Sequence, residues 1–282
     1  MNILVTGGVG FIGTNLIKRL VKEGHKVVSL DNYSTGDANN QVDGCQYFNV
    51  DVCSVIDYSF FQEKTDVIYH MAALARIQPS LDKPHPTIVN NFLSTLNVLE
   101  YARNNKIRVV YAGSSSLHHG LYESPYAWSK FSGEELCKLY SSVYEVETSI
   151  CRFYNVYGDY QIKEGAYATV LGIFQNQYEN KEPLTIVGDG EQRRDFTHVD
   201  DIVDGLMLTA EGKSWGLTIE FGRGKNYSIN EVADMFGKDY PRINLPVQKG
   251  EYDRTLADYS LAHDLLDWSP SVDLREYIRS VI

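Results

Sequence analysis

Cysteines, prolines and long apolar runs are all scarce in this 282-residue chain, and each scarcity narrows what it can be. Its four cysteines, Cys45, Cys53, Cys137 and Cys151, form no CxxC pair and have no histidine at metal-ligand spacing. That argues against a disulfide scaffold, and no metal site is expected. In so long a chain they read as reduced, mostly buried thiols. No stretch is apolar for long enough to span a bilayer. The chain opens almost directly on Ile3-Leu4-Val5, without the basic and apolar segments of a secretory leader. A soluble, cytoplasmic protein is therefore expected. Positive charge is also short, 26 Lys and Arg against 37 Asp and Glu, for a formal net charge of −11. Nucleic-acid binding through counterion release needs a basic face, so neither a nucleic-acid nor a membrane partner is expected. An anionic small ligand stays open, because one cluster of amides and arginines holds phosphate even inside an acidic protein.

What is present is ordinary globular material, with 43% hydrophobic and 22% charged residues. The length suits one compact body or two closely packed lobes. Short apolar runs at 2–6, 27–30, 45–50, 67–71, 108–112 and 147–154 predict strands. Amphipathic stretches at 11–23, 86–104 and 125–144 predict helices between them. Strand–helix alternation with nearly continuous apolar strands predicts an α/β fold built on a Rossmann-type doubly wound parallel sheet. Past Tyr157 the pattern loosens into helical pieces at 167–176, 199–210 and 228–236, set between Gly- and Pro-containing turns. The expected division is a dinucleotide-binding domain over 1–160, with a returning segment near 190–212, and a smaller mixed α/β substrate lobe over 161–282.

The run Thr6-Gly7-Gly8-Val9-Gly10-Phe11-Ile12-Gly13 closes the first strand and opens the first helix. Glycines there tighten the turn and let backbone amides approach a pyrophosphate, which the helix N-terminus favours. Asp31 ends the second strand at the distance where an acid meets the adenosine ribose, and an acid there prefers NAD over NADP. The plainer reading of Asp31 is a turn residue in Asp31-Asn32-Tyr33-Ser34. Asp51 could accept from an adenine amino group, although alone it reads first as an end-of-strand turn residue.

In Ser124-Pro125-Tyr126-Ala127-Trp128-Ser129-Lys130, Tyr126 and Lys130 stand at i and i+4, on one helical face. A phenol is a poor base at neutral pH, and a nearby ammonium and a cofactor cation would favour its phenolate. Upstream, Tyr111-Ala112-Gly113-Ser114-Ser115-Ser116 ends a strand in hydroxyls, one of which could share a substrate proton with the tyrosine. For any single serine, an ordinary Ser-rich loop is the competing reading.

Together these residues resemble the NAD-dependent sugar-nucleotide epimerase/dehydratase family of extended short-chain dehydrogenase/reductases, over nearly the whole chain. The resemblance implies NAD as cofactor. It places Gly7, Gly10, Phe11, Ile12 and Gly13 in the dinucleotide loop, and Asp31, Asn32, Ser34, Thr35 and Gly36 at the adenosine ribose. Asp51, Val52, Ala72, Ala73 and Asn91 complete the cofactor set. Tyr126 and Lys130 fall on the catalytic pair, and Ser115 aligns best with the catalytic hydroxyl. Arg76, Ser116, Asn155 and Arg194 fall on substrate-binding segments, with Arg194 expected at the nucleotide diphosphate or ribose. A guanidinium suits that role through its planar set of donors. Where the family has an Arg two residues before a Gly-acid pair, this chain reads Gln248-Lys249-Gly250-Glu251, which moves the expected diphosphate contact to Lys249 or Arg254. It also reads His119-Gly120 for the family's Tyr-Gly, and its stretch from Ser115 to Tyr126 is unusually short.

Dehydratases of the family carry an Asp-Glu pair after the catalytic hydroxyl, and sugar-acid decarboxylases usually carry a Glu there. Ser116-Leu117 stands in that place here. By that resemblance the expected reaction is C4 epimerisation of a nucleotide sugar, UDP being the commonest carrier. A nucleotide-sugar dehydrogenase or reductase, and a non-catalytic NAD-binding scaffold of the same fold, are the alternatives. The family's four-helix interface makes a homodimer the expected assembly, with Leu96, Val98, Leu99, Leu136 and Leu139 as apolar candidates that could equally serve the core.

Overall fold

The computed structural model describes residues 1–54, 64–250 and 252–282, the side chain of His119 excepted. Glu251, part of the family pattern above, lies outside them. The first half alternates as the apolar periodicity predicts. Strand β1 (Asn2–Thr6) leads into helix α1 (Phe11–Lys22), then β2 (Lys26–Asp31) and β3 (Cys45–Asn49). Strand β4 (Val67–His70) follows, then a short α2 (Ile77–Asp82) and a long α3 (Pro84–Asn105). Strand β5 (Arg108–Ser114), helix α4 (Pro125–Tyr144) and β6 (Thr148–Phe153) close this half. The second half contributes β7 (Val156–Tyr157), α5 (Val170–Glu179), β8 (Leu184–Val187), β9 (Arg193–Asp195), β10 (Thr197–His198) and α6 (Val199–Thr209). It ends with β11 (Thr218–Phe221), β12 (Asn226–Ser228), α7 (Ile229–Phe236), β13 (Arg242–Leu245), α8 (Ser260–Leu266) and α9 (Leu274–Val281).

Seven parallel strands form one sheet in the order β11-β6-β5-β4-β1-β2-β3. Ile3, Leu4 and Val5 of β1 are fully buried because helices cover both faces, so that strand alternates no polar residues outward. On one face Leu16, Ile17 and Leu20 of α1 pack with Ile202, Val203 and Leu206 of α6. On the other, Val98, Leu99 and Ala102 of α3 pack with Cys137 and Tyr140 of α4. This corrects two interface candidates: Val98 and Leu99 are 1% and 0% exposed, so they serve the chain's own core and present nothing to a partner. Leu96 and Leu136 pack partly buried against the same cluster, and Leu139 is 49% exposed.

A separate core joins Phe174 of α5, Leu184 and Ile186 of β8, Phe236 of α7 and Leu274 of α9. This is the smaller mixed lobe, with paired strands β8–β13, β9–β12 and β7–β10. The return to the sheet runs beyond the expected 190–212 segment. Strand β11 pairs with β6 from Thr218↔Ile150 to Phe221↔Phe153, and Ala262 and Leu266 of α8 join the sheet's core. The sheet needs that last strand to cover the edge that β6 would otherwise expose.

Strand order reverses between β1 and β4, since β1 leads outward to β2 and β3 while β4 leads the other way to β5. In a doubly wound sheet the loops diverge at that point and leave a crevice at the strand C-termini. Thr6, His70 and Ser114 end three of these strands, and the site is built on them.

Candidate active site

A cavity of about 680 Å³ occupies the crevice. Its wall includes Gly7, Gly10, Phe11, Ile12, Gly13, Thr35 and Ala73 at one end, and Arg76, Ser114, Ser115, Ser116, Tyr126 and Lys130 near the middle. Asn155, Gln192, Arg194, Tyr252 and Thr255 line the side formed by the smaller lobe.

At the glycine end the backbone itself forms the surface. A Cβ on Gly7, whose φ is +74°, would lie 2.8 Å from the Ala72 backbone, and one on Gly13 would lie 2.1 Å from the Gly7 carbonyl oxygen. Gly10 precedes α1 as its N-cap, giving no side-chain cap, and the first turn holds no acid, so the leading amides face the crevice uncapped. The Asp31 carboxylate accepts from the Val9 amide at 3.0 Å and the Tyr33 amide at 2.8 Å, which fixes it beside the loop. Asn32 Oδ1 accepts from the Ser34 amide at 3.1 Å, and Gly36 packs against the Val9 backbone. A bare glycine cradle, a helix N-terminus and an acid at the end of β2 fit a dinucleotide.

Two members of the expected cofactor set also bond or pack within the protein itself. Asp51 is exposed and accepts from the Cys53 amide at 2.9 Å, as a turn residue does, and Val52 is 6% exposed in the core beside α3. Asn91 acts as a brace. Its Oδ1 accepts from the Leu74 amide at 2.8 Å, and its Nδ2 donates to the Leu74 carbonyl at 3.2 Å and to Ser129 Oγ at 2.9 Å. It thereby ties the loop after β4, which includes Ala72 and Ala73, to the residue preceding Lys130. His70 supports the same region: burial pushes its imidazole down to about 3, so it stays neutral and bridges Thr6 Oγ1 and Thr95 Oγ1.

Helix α4 starts where the sequence says it should. Ser124 Oγ accepts from the Ala127 amide at 3.1 Å, and Pro125 takes the first helical position, where no amide is needed. Tyr126 and Lys130 then both face the cavity. The hydroxyl within reach of Tyr126 belongs to Ser114, at 3.4 Å, and not to Ser115. Strand β5 runs two residues further than its apolar run suggests, to Ser114 rather than Ala112, and the chain turns there into a 3₁₀ segment at Ser115–His119. Ser114 caps that turn, accepting from the Ser116 amide at 3.2 Å, and this aims its hydroxyl at Tyr126. Ser115 and Ser116 remain cavity-lining residues.

Burial raises the Tyr126 phenol above its ordinary value, while Ser114 and the nearby Arg76 guanidinium pull it down. Lys130 is 4% exposed, and burial pushes its ammonium down to about 8 against the opposing charge of Glu134. Its Nζ lies 4.4 Å from the centre of the Tyr111 ring. Arg76 is held from both lobes: its Nε donates to the Tyr167 carbonyl at 2.9 Å and its Nη1 to the Ala75 carbonyl at 3.2 Å.

On the opposite wall, Asn155 Nδ2 donates to the Asp195 carbonyl at 3.2 Å and to Thr255 Oγ1 at 3.0 Å, so its amide already binds protein. Arg194 is 8% exposed, and its Nη1 donates to the Arg193 carbonyl at 3.0 Å and the Tyr252 carbonyl at 2.6 Å. Lys249 and Arg254 do not join it. Both are exposed and neither lines the cavity, whereas Gln248, Gly250 and Tyr252 do. The chain turns at Lys249–Gly250, with Gly250 at φ +81°, and Lys249 stays in solvent beside its lining neighbours. Tyr167, Gln192, Tyr252 and Thr255 had no signal in the sequence, because isolated polar residues in irregular segments have no period to reveal them.

Behind α4 lies a charge network that the sequence reading missed. Glu134, fully buried, is bonded by Arg152 through Nη2 at 2.7 Å and Nε at 3.1 Å. Arg152 Nη1 reaches Glu220 at 3.5 Å, and Glu220 meets His118 at 2.5 Å and the Tyr154 hydroxyl at 2.7 Å. Glu134 is one helical turn past Lys130, so the network backs the lysine that faces the cavity.

Known proteins share this sequence pattern and fold. The model of the "NAD dependent epimerase/dehydratase family" matches residues 3–217. A putative UDP-glucose 4-epimerase of Methanocaldococcus jannaschii is 33% identical over 99% of this chain and 97% of its own length. A UDP-glucose 4-epimerase of Thermotoga maritima, solved with UDP-glucose, superposes with a TM-score of 0.94 at 27% identity, covering 99% of this chain and 96% of that one. A UDP-glucuronic acid 4-epimerase of Bacillus cereus, solved with UDP-glucuronic acid and NAD, has a TM-score of 0.89 at 31% identity with full coverage of both chains. The chain is a member of the NAD-dependent epimerase/dehydratase family, whose cofactor is NAD.

Proposed function

We propose that this protein interconverts the C4 epimers of a UDP-linked sugar through a transient 4-keto sugar. The observation that carries the reading is the Tyr126–Ser114 pair at the mouth of β5, in one cavity with Lys130 and the glycine cradle. Gly7, Gly10, Gly13 and Asp31 would hold NAD, with Lys130 at its nicotinamide ribose. Bound NAD supplies the group that takes up and then returns the hydride at sugar C4.

The chain's own residues handle the proton. Tyr126 removes it from the 4-hydroxyl through Ser114, and Lys130 and Arg76 favour the phenolate that this requires. On the return step Tyr126 gives the proton back to the other epimer. Arg194 and Gln192 on the opposite wall hold the nucleotide end, so the sugar can turn while its anchor stays in place. Ser115, Ser116 and Leu117 follow Ser114 and offer no carboxyl group, which supports epimerisation over loss of water. A homodimer through α3 and α4 belongs to the same reading.

The test is to incubate the purified protein with UDP-glucose, UDP-N-acetylglucosamine and their uronic acids, and resolve the products by NMR. The expected result is a 4-epimer formed without added reductant, with the same mixture reached from either side. Absence of product from all of them, with NAD present in the denatured protein, rejects the reading.

A further inference from the structure

Arg76 is an unusual residue to find beside a catalytic phenol. It lines the cavity, and burial lowers its pKa, with the Tyr126 phenol opposing. A guanidinium nonetheless stays charged at any working pH. Its hydrogen bonds are to two backbone carbonyls, those of Tyr167 and Ala75, and no carboxylate pairs with it among the described residues. The carbonyls satisfy some of its donors and lock its plane without neutralising its charge. By contrast, Arg152 is matched by Glu134 and Glu220. A cation enclosed by a cavity wall without a counter-ion is costly, and the cost grows when a ligand fills the cavity and expels water.

The position of the guanidinium limits what can neutralise it. It lies within electrostatic reach of Tyr126, the group that serves sugar C4 in the proposed reaction. The groups next to that carbon are the C3 hydroxyl and whatever C5 carries. In a hexose C5 carries a neutral hydroxymethyl group, and in a uronic acid it carries a carboxylate. A carboxylate offers the planar pair of acceptors that a guanidinium fork matches, and a hydroxymethyl leaves the half-buried charge unanswered. We propose that Arg76 binds the C6 carboxylate of the sugar, so that UDP-linked uronic acids are preferred over the corresponding neutral hexoses. The proposal rests on the assignment of C4 to Tyr126.

Two measurements on the NAD-containing full-length protein test it: calorimetric binding of UDP-glucuronate and UDP-glucose, and their initial epimerisation rates. UDP-glucuronate is expected to bind about 10- to 100-fold more tightly, the range of one charge-assisted pair. Arg76→Gln should bring the two affinities within a few-fold of each other by weakening UDP-glucuronate alone. Arg76→Lys should restore part of the difference, since it keeps the charge but loses the fork. Equal affinities in the unaltered protein, or a preference for UDP-glucose, overturn the proposal even if no variant folds. An Arg76→Gln loss shared equally by both sugars, together with a shifted pH–rate profile for both, also overturns it, because the arginine would then act on Tyr126 alone. If UDP-glucuronate is preferred in binding but neither sugar is epimerised, the carboxylate site stands and the reaction assignment fails. Epimerisation of both with equal affinity gives the opposite outcome.

Discussion

The Tyr126 hydroxyl donates to Ser114 Oγ at 3.4 Å, joining the first turn of α4 to the last residue of β5. That contact selects one serine of three. Ser114 also caps the turn that follows, so its hydroxyl is held in place before any substrate arrives. Ser114→Ala should lower kcat about 100-fold with a smaller change in KM, and Ser115→Ala should stay within a few-fold of the parent. Initial rates of the two variants decide it, and a larger loss in Ser115→Ala would return the role to that residue.

Gly13 admits no side chain, because its Cβ would meet the Gly7 carbonyl at 2.1 Å while that same oxygen accepts from the Gly10 amide at 3.2 Å. Gly13→Ala must therefore open the loop that cradles the dinucleotide. The expected result is at least a tenfold drop in NAD recovered from the denatured protein, at a stability cost of about 1–3 kcal/mol. Unchanged NAD content would show that the loop is not the binding surface.

Glu134 and Arg152 form a pair buried behind the site, with side chains 0% and 14% exposed. Glu134→Ala leaves a guanidinium without its main partner and should destabilise the fold by about 3–5 kcal/mol. Replacing both residues by leucine should cost clearly less, because no charge is then stranded. Urea midpoints of the single and double variants measure the difference, and a double variant as damaged as the single one would refute the account.

Glu220 responds to acid. Burial works to raise its pKa, but the hydrogen bonds from His118 and Tyr154 outweigh burial and bring it from 4.5 down to about 2. A group depressed in the folded state binds its proton more readily when unfolded. Its contribution is therefore complete above about pH 4.5 and is lost as pH falls toward 2. The size is about 2 kcal/mol once screening at the partly exposed His118 is allowed for. Urea midpoints between pH 6 and 2.5 should fall, and Glu220→Gln should flatten that part of the curve. A variant curve parallel to that of the parent would remove Glu220 from the acid response.

Trp128, Leu139 and Val143 share one stripe of α4 and are 37%, 49% and 57% exposed. Spacings of eleven and four residues put them on one helical face. If α3 and α4 form the homodimer interface proposed here, Leu139→Glu with Val143→Glu should halve the mass seen by light scattering and leave the monomer folded. An unchanged oligomer places the interface elsewhere.

Much of the first half was legible because its elements obey local rules. The apolar runs of β1 and β4, the helical period of α1 and the Ser124-Pro125 start of α4 each carry their own signal. Once Pro125 begins that helix, Tyr126 and Lys130 must share a face. The glycines of the first loop were equally readable, since only a residue without a Cβ fits where backbones touch.

What the chain order alone determined is therefore the parallel sheet, the dinucleotide loop and the spacing of the Tyr-Lys pair. Tertiary structure decided the rest. It set the Ser114 hydroxyl within hydrogen-bonding reach of Tyr126, because β5 runs two residues past its apolar run. It turned Lys249 to the outside and left Gln248 and Tyr252 on the cavity. It brought Arg76 against Tyr167, 91 positions away, and matched Arg152 with Glu134 while leaving Arg76 without a carboxylate among the described residues. The physical reason is the same in each case. Periodicity and turn chemistry act over a few residues, whereas the direction of a side chain and the charge that meets it depend on segments that only the fold brings together.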